Sequence, residues 1–292
     1  PVTDPDFPWT GIIFGAPIVG IWYWCTDQYI VQRVLGAKSI QAAQAGSLLA
    51  AFLKILPMFV LVLPGLIAYA LDPSIKGDKA FPMLLSGNLL PVGLKGIVIA
   101  ALIGALMSSL ASVFNSAATL FTIDFYQPLH PNASERRLIL VGRLFTLAVT
   151  LSAILWVPIT KLISTDIYIY MQSVQSYISP PIVAVFIFGI LTPKVNAGGA
   201  FFSLILGGAI GIFRIISEFM VNKGLITSGM VFEVAKVNYL HFAICLFLIC
   251  SGVLYLVSRL AKQSYTQQTT GLLIAGQPVK VETLVPLKNL LV

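Results

Sequence analysis

Long apolar runs separated by short polar connections organise this chain. A bilayer crossing needs about 20 mainly apolar residues, and seven runs meet that length: 9–32, 46–71, 92–126, 138–157, 166–191, 197–218 and 238–260. The third is too long for a perpendicular crossing and is expected to tilt or to run past the hydrocarbon. The first is no plain anchor. Pro8, Gly11, Gly15, Pro17 and Gly20 puncture it, and Trp22, Tyr23, Trp24, Cys25, Thr26, Asp27 and Gln28 come after them. Backbone without helical hydrogen bonds is tolerated at membrane depth only where it is buried in protein or lines a watery cavity. A Gly/Pro-interrupted span ending in aromatic and polar residues therefore points to a solute-binding site.

Composition excludes the soluble alternatives. Hydrophobic residues make up 58% of the chain and charged residues only 10%, against roughly 25% charged in a soluble domain. The net charge of +7 comes from Lys and Arg scattered among short loops. That is the pattern of positive charge held on the cytoplasmic side rather than of a nucleic-acid surface. Arg33 and Lys38, Arg136, Arg137 and Arg143, Lys194, and Arg259 with Lys262 fall in alternate connections. The loops between them are balanced: Asp72, Lys76, Asp78 and Lys79; Lys161 and Asp166; Lys223, Glu233 and Lys236. The acidic N-terminus, with Asp4 and Asp6, is expected outside and the C-terminus in the cytoplasm. On that topology the glycosylation pattern at Asn132-Ala133-Ser134 lies on the wrong side and is discounted. Cys25, Cys245 and Cys250 sit in apolar runs and form neither a disulfide framework nor a metal-spaced cluster. Residues 263–292, broken by Gly276, Pro278 and Pro286 and carrying Lys280, Glu282 and Lys288, read as a cytoplasmic or interfacial tail. A chain that opens Pro-Val-Thr-Asp is expected to have further residues upstream.

Four groups of residues carry chemistry. Ala105, Ser108, Ser109, Ser112 and Ser116 fall along one helix face. Their hydroxyls suit a hard cation such as sodium, while small residues at this spacing equally serve close helix packing. Lys54 lies eight residues into the second run, about 12 Å along the axis. It either snorkels to the interface or is buried with an oxygen partner, Asp27 or a broken-helix carbonyl, as a functional group. Trp22, Tyr23 and Trp24 sit mid-run, where stacking on a solute with hydrogen bonds from their polar tips fits better than an interfacial belt. Gln172, Gln175, Ser176 and Ser179 precede Pro180-Pro181. Gln172, Ser176 and Ser179 share a face, and the tandem prolines are expected to kink the helix. Gln175 serves equally as interhelical glue or cavity wall. Gly11-x-x-x-Gly15 and Gly207-x-x-x-Gly211 are close-packing motifs. His130 and His241 stand isolated, and no P-loop, metal-ligand cluster or catalytic triad appears.

With these residues in place, the chain resembles the sodium/solute symporters, and among them the sodium/glucose cotransporter branch. The matching stretches are Trp22–Arg33, Lys54–Phe59, Ala105–Ser116, Gln172–Pro181 and Arg214–Phe219, which run in family order from about residue 8 to 260. The resemblance implies an all-α polytopic membrane protein with a leucine-transporter-type inverted-repeat fold. Residues 1–8 would be an extracellular lead-in and 9–191 the second five-helix repeat. Residues 192–262 would hold two additional transmembrane helices, and 263–292 the tail. It implies a sodium ion held by the Ala105 carbonyl, Ser108 and Ser109. It also implies Tyr23 as the inner gate beneath the solute, Trp24 as its neighbour, and Lys54 and Gln172 as solute hydrogen-bonding positions. Gly20 stands where sugar carriers commonly have a polar residue that contacts substrate.

The expectation is thus sodium-coupled symport of a sugar or polyol by alternating access at the plasma membrane, with no enzymatic activity and no cofactor beyond the coupling ion. The partners expected are the solute, sodium, the bilayer and a missing first repeat of the same carrier; nucleic acid is not among them. Alternatives are a sodium symporter for an amino acid, carboxylate or other anion, a carrier-like solute sensor, and a membrane scaffold.

Overall fold

The computed structural model describes residues 4, 6–75, 79–87, 90–163 and 167–261, the side chains of 159–163 and 167 excepted. The predicted tail 263–292 lies outside the described residues, as do Pro1–Thr3, Pro5, Lys76, Asp78 and Asp166. Every regular element described is a helix. Among the described residues, six stretches are long and apolar enough to cross a membrane, and the expected run 9–32 is not one of them because its helices are short: Ile40–Leu71, Val92–Leu129, Glu135–Pro158, Tyr168–Leu191, Ala197–Asn222 and Tyr239–Leu260. Large apolar side chains such as Phe52, Phe59, Leu106 and Leu155 point outward, which inverts the pattern of a water-soluble protein. The chain is an all-α integral membrane protein that crosses the bilayer repeatedly.

The opening run is interrupted, as its glycines and prolines require. Helix α1 (Trp9–Phe14) passes through Gly15 to α2 (Ala16–Ile21), and a π-helical turn covers Trp22–Thr26. Asp27 then leaves the helical region at φ −73°, ψ 119°, and α3 (Gln28–Leu35) begins after it. Asp27 starts the new helix. Its side chain accepts from the Tyr29 N–H at 3.3 Å and its carbonyl from Val31 at 3.0 Å, the arrangement of an N-cap.

The described residues of Pro1–Val31 and Tyr168–Leu284 form one compact unit. It adds α10 (Ile167–Leu191), α11 (Ala197–Asn222), α12 (Met230–Lys236) and α13 (Tyr239–Leu260). Gly199, Ser203, Gly207 and Gly211, each four residues apart, form the buried stripe of α11. Along it α13 lies close: Ser203 Oγ donates to the Cys250 carbonyl at 3.0 Å, and Asn196, the N-cap of α11, donates through Nδ2 to the Ser258 carbonyl at 3.0 Å. A Cβ at Gly207 would sit 2.5 Å from Pro181 and 2.7 Å from Cys250 Sγ, and one at Gly211 would sit 2.5 Å from the Tyr177 carbonyl oxygen. The other small-residue pair behaves alike, Gly11 and Gly15 lying against Leu240 of α13. Van der Waals contact supplies helix association in lipid, and small residues permit it.

Helix α10 carries Pro180 and Pro181 within its length. Pro181 cannot donate to the Tyr177 carbonyl; that oxygen instead faces Gly211, whose missing side chain leaves room for it.

The described residues of Gln32–Ile167 form the second unit. Helix α4 (Ile40–Leu53) ends at Lys54, a π-helical turn covers Met58–Val62, and α5 (Leu63–Leu71) completes the stretch. The break has a cause in Pro57, whose ring and missing N–H disturb the turn that starts at Leu53. Helix α6 (Ala80–Ser86) precedes α7 (Val92–Leu120), which runs through a π-helical segment, Phe121–Tyr126, into α8 (Gln127–Leu129). Helix α9 (Glu135–Ile163) packs on α7. Phe121 stacks on Phe145 with centroids 4.2 Å apart at that contact.

Candidate functional site

In the first unit a cavity of about 340 Å³ opens beside the interrupted helix, within the range of roughly 300–1,000 Å³ that small-molecule sites occupy. One wall comes from α2 and the π-helical turn after it: Ala16, Val19, Gly20 and Tyr23. The opposite wall is the polar face of α10, with Gln172, Gln175 and Ser176, and Leu240 of α13 closes the apolar side. The extra residue in a π turn rotates the downstream backbone relative to an α-helix, and such turns recur at functional sites. Here the turn carries Tyr23.

The polar groups are held in place by their own neighbours. The Tyr23 and Tyr29 hydroxyls are hydrogen-bonded to one another, which ties the π turn to the start of α3. Trp24 packs edge-on against the Tyr23 ring with centroids 5.3 Å apart, and Thr26 Oγ1 donates to the Trp22 carbonyl at 2.7 Å. Ser176 Oγ donates to the Gln172 carbonyl at 2.8 Å. None of the eight lining residues is charged. Two carboxamides, a phenol and a hydroxyl around an apolar floor can donate to and accept from hydroxyl groups, but they offer no counter-charge to an ion.

The structure thus gathers Tyr23 and Gln172 of the expected site around one cavity. It adds Gln175, whose role the sequence left open, and Leu240, which no motif signalled. Trp24 supports Tyr23 and is 43% exposed rather than part of the lining. Ser179 is fully buried and does not line the cavity.

The remaining expected residues belong to the second unit. Lys54 sits at the break between α4 and the π turn that precedes α5. Ala105, Ser108 and Ser109 lie on the long α7. One turn further, Ser112 Oγ donates to the Ser108 carbonyl at 3.0 Å and itself accepts from Arg33 Nη2 at 2.6 Å. Serine hydroxyls and a main-chain carbonyl are hard oxygen donors of the type an alkali or alkaline-earth cation selects. Three of them leave such a coordination shell incomplete, so further oxygens are needed.

Residues 2–207 match the profile of the sodium:solute symporter family. The chain belongs to that family. Among curated relatives, the sodium/myo-inositol cotransporter 2 of Bos taurus is 45% identical over 239 residues, 75% of this chain and 35% of the relative. The sodium/glucose cotransporter 1 of Ovis aries is 42% identical over 278 residues, 88% of this chain and 42% of the relative. That of Mus musculus is 42% identical over 283 residues, 90% and 42% respectively. The chain therefore spans well under half the length of the relatives it matches. These relatives, like the family, are transporters, and a symporter-family chain built around an interrupted helix accords with that chemistry.

Proposed function

We propose that this chain is part of a sodium-coupled carrier for a neutral, hydroxyl-rich solute, a sugar or polyol, moved by alternating access. The observation that carries the reading is the cavity at the interrupted helix, whose lining pairs an apolar floor with uncharged polar groups. Its two carboxamides, phenol and hydroxyl match the donors and acceptors of a solute rich in hydroxyl groups. The names of the relatives, sodium with myo-inositol or with glucose, support the same cargo class.

In this reading Tyr23 and Gln172 hold the solute, Trp24 buttresses Tyr23, and Lys54 is a further candidate for hydrogen bonding to solute. The Ala105 carbonyl, Ser108 and Ser109 contribute to the sodium site. Residues 9–191 form the second five-helix repeat of an inverted-repeat fold. α11 and α13, within 192–262, are additional spans, and the other repeat supplies the remaining sodium oxygens. The N-terminus lies outside and the C-terminus in the cytoplasm of the plasma membrane. Sodium drives uptake because it favours the outward-open state, a shift it can cause only by binding that state more tightly.

The test is uptake by the full-length carrier in proteoliposomes. Labelled myo-inositol or glucose should accumulate under an inward sodium gradient and not under an equal potassium gradient. Equal uptake in both sinks the coupling, and saturable binding without flux would make the protein a sensor.

A further inference from the structure

Arg214 lies in the buried stripe of α11 with only 2% of its surface exposed. Its Nη2 donates to the Val237 carbonyl at 2.7 Å, while Nε and Nη1 have no hydrogen-bond partner among the described residues. The guanidinium carbon sits 5.3 Å from the ring centroid of Tyr177 and 5.4 Å from that of Phe242. Those two rings meet edge to face at 5.3 Å. The Tyr177 hydroxyl donates to Glu218 Oε2 at 2.8 Å, one turn beyond Arg214 on α11. A guanidinium with two orphaned nitrogens is a costly way to fill space, since apolar residues of similar volume often serve stability as well or better.

What the arrangement provides is geometry. Tyr177 immediately follows Ser176 on α10, and Phe242 stands two residues beyond Leu240 on α13; Ser176 and Leu240 line the cavity. One cation therefore binds the back of two elements whose fronts form the cavity wall. We propose that Arg214 is a positioning residue for the solute cavity. By holding the Tyr177 and Phe242 rings it fixes how α10 presents Gln172, Gln175 and Ser176 and how α13 presents Leu240. The cavity's solute role rests on the carrier reading above; the arrangement behind the cavity does not.

The test uses the full-length carrier with Arg214→Met, Arg214→Lys and Phe242→Leu, scored by uptake at saturating sodium per carrier present in the membrane. Loss of positioning raises the KM for solute about tenfold in Arg214→Met, the size of one interaction near 1.4 kcal/mol, while maximal rate changes less than about twofold and Arg214→Lys recovers part of the affinity. A merely structural role lowers the amount of carrier and leaves the KM of the surviving molecules unchanged, which overturns the proposal. Where Arg214→Met does not reach the membrane, Phe242→Leu decides, raised KM supporting and unchanged KM overturning. A second readout needs no transport: the rate of thiol labelling at Gln175→Cys, read by peptide mass spectrometry, should shift at least threefold when Arg214→Met or Phe242→Leu is added. An unsubstituted carrier with no sodium-driven uptake would refute the carrier reading, and the labelling rate would still decide the role of Arg214.

Discussion

Arg33 and Ser112, 79 residues apart, are joined by a hydrogen bond of 2.6 Å, and Ser112 passes a second bond of 3.0 Å to the carbonyl of Ser108. The Arg33 end of α3 is thereby wired to the serine face of α7, one turn from the hydroxyls proposed to bind sodium. A cationic donor on that serine orients its hydroxyl toward the backbone and sets the local field.

Ser112→Ala removes the acceptor and the second bond together. Sodium half-saturation should shift about threefold to tenfold, the range of one hydrogen bond to a charged group after allowance for exposure. The solute KM at saturating sodium should stay within about twofold. Sodium-activation curves of uptake check this, and an unchanged curve would disconnect the pair from the ion.

Ser109→Ala should weaken sodium dependence before it weakens solute affinity. The measurement is solute KM at several sodium concentrations. A variant whose solute KM rises at saturating sodium while sodium activation is untouched would move Ser109 out of the ion site.

Gln172→Leu keeps a side chain of similar reach but leaves a solute hydroxyl without its partner. Buried unpaired polar groups cost about 1–3 kcal/mol, so kcat/KM for uptake should fall about tenfold or more. A loss under twofold would show that Gln172 faces the cavity without touching the cargo.

Gly211→Ala should destabilise the protein, because its Cβ would meet the Tyr177 carbonyl oxygen at 2.5 Å and overpacking of this kind costs about 1–3 kcal/mol. Gly208→Ala, with nothing within 4 Å of its Cβ, is the matched control on the same helix. Yield of folded carrier and thermal unfolding in detergent compare the two, and equal behaviour would refute the close approach of α10 and α11.

Six of the seven expected spans were legible because apolar length in lipid is so strong a constraint. Observed ends differ from the expected ones where the helix continues into more polar sequence, as at Ile40 and Asn222. The interruption near Asp27 was legible too, since glycines, prolines and a carboxylate do not share a uniform helix by chance. Its mechanism, an N-cap to Tyr29 after a π turn, was not, because π turns have no compositional signature. Pro57 stood in plain view, yet the break it causes at Lys54 was hidden inside an unbroken apolar run. At Pro180-Pro181, Gly211 on another helix accommodates what the prolines disturb. Which face of α10 meets the cavity depends on helix rotation, so Gln175 stayed ambiguous. Leu240 and Arg214 enter through contacts made more than 20 residues away in sequence, beyond the reach of local pattern.

Gly11 and Gly15 are locked against Leu240, whereas the Cβ position of Gly20 meets nothing within 4 Å. A single short segment thus has a half that tolerates no side chain and a half that accepts one. If the cavity takes solute as proposed, its lining can be altered at Gly20 while the seam with α13 stays intact.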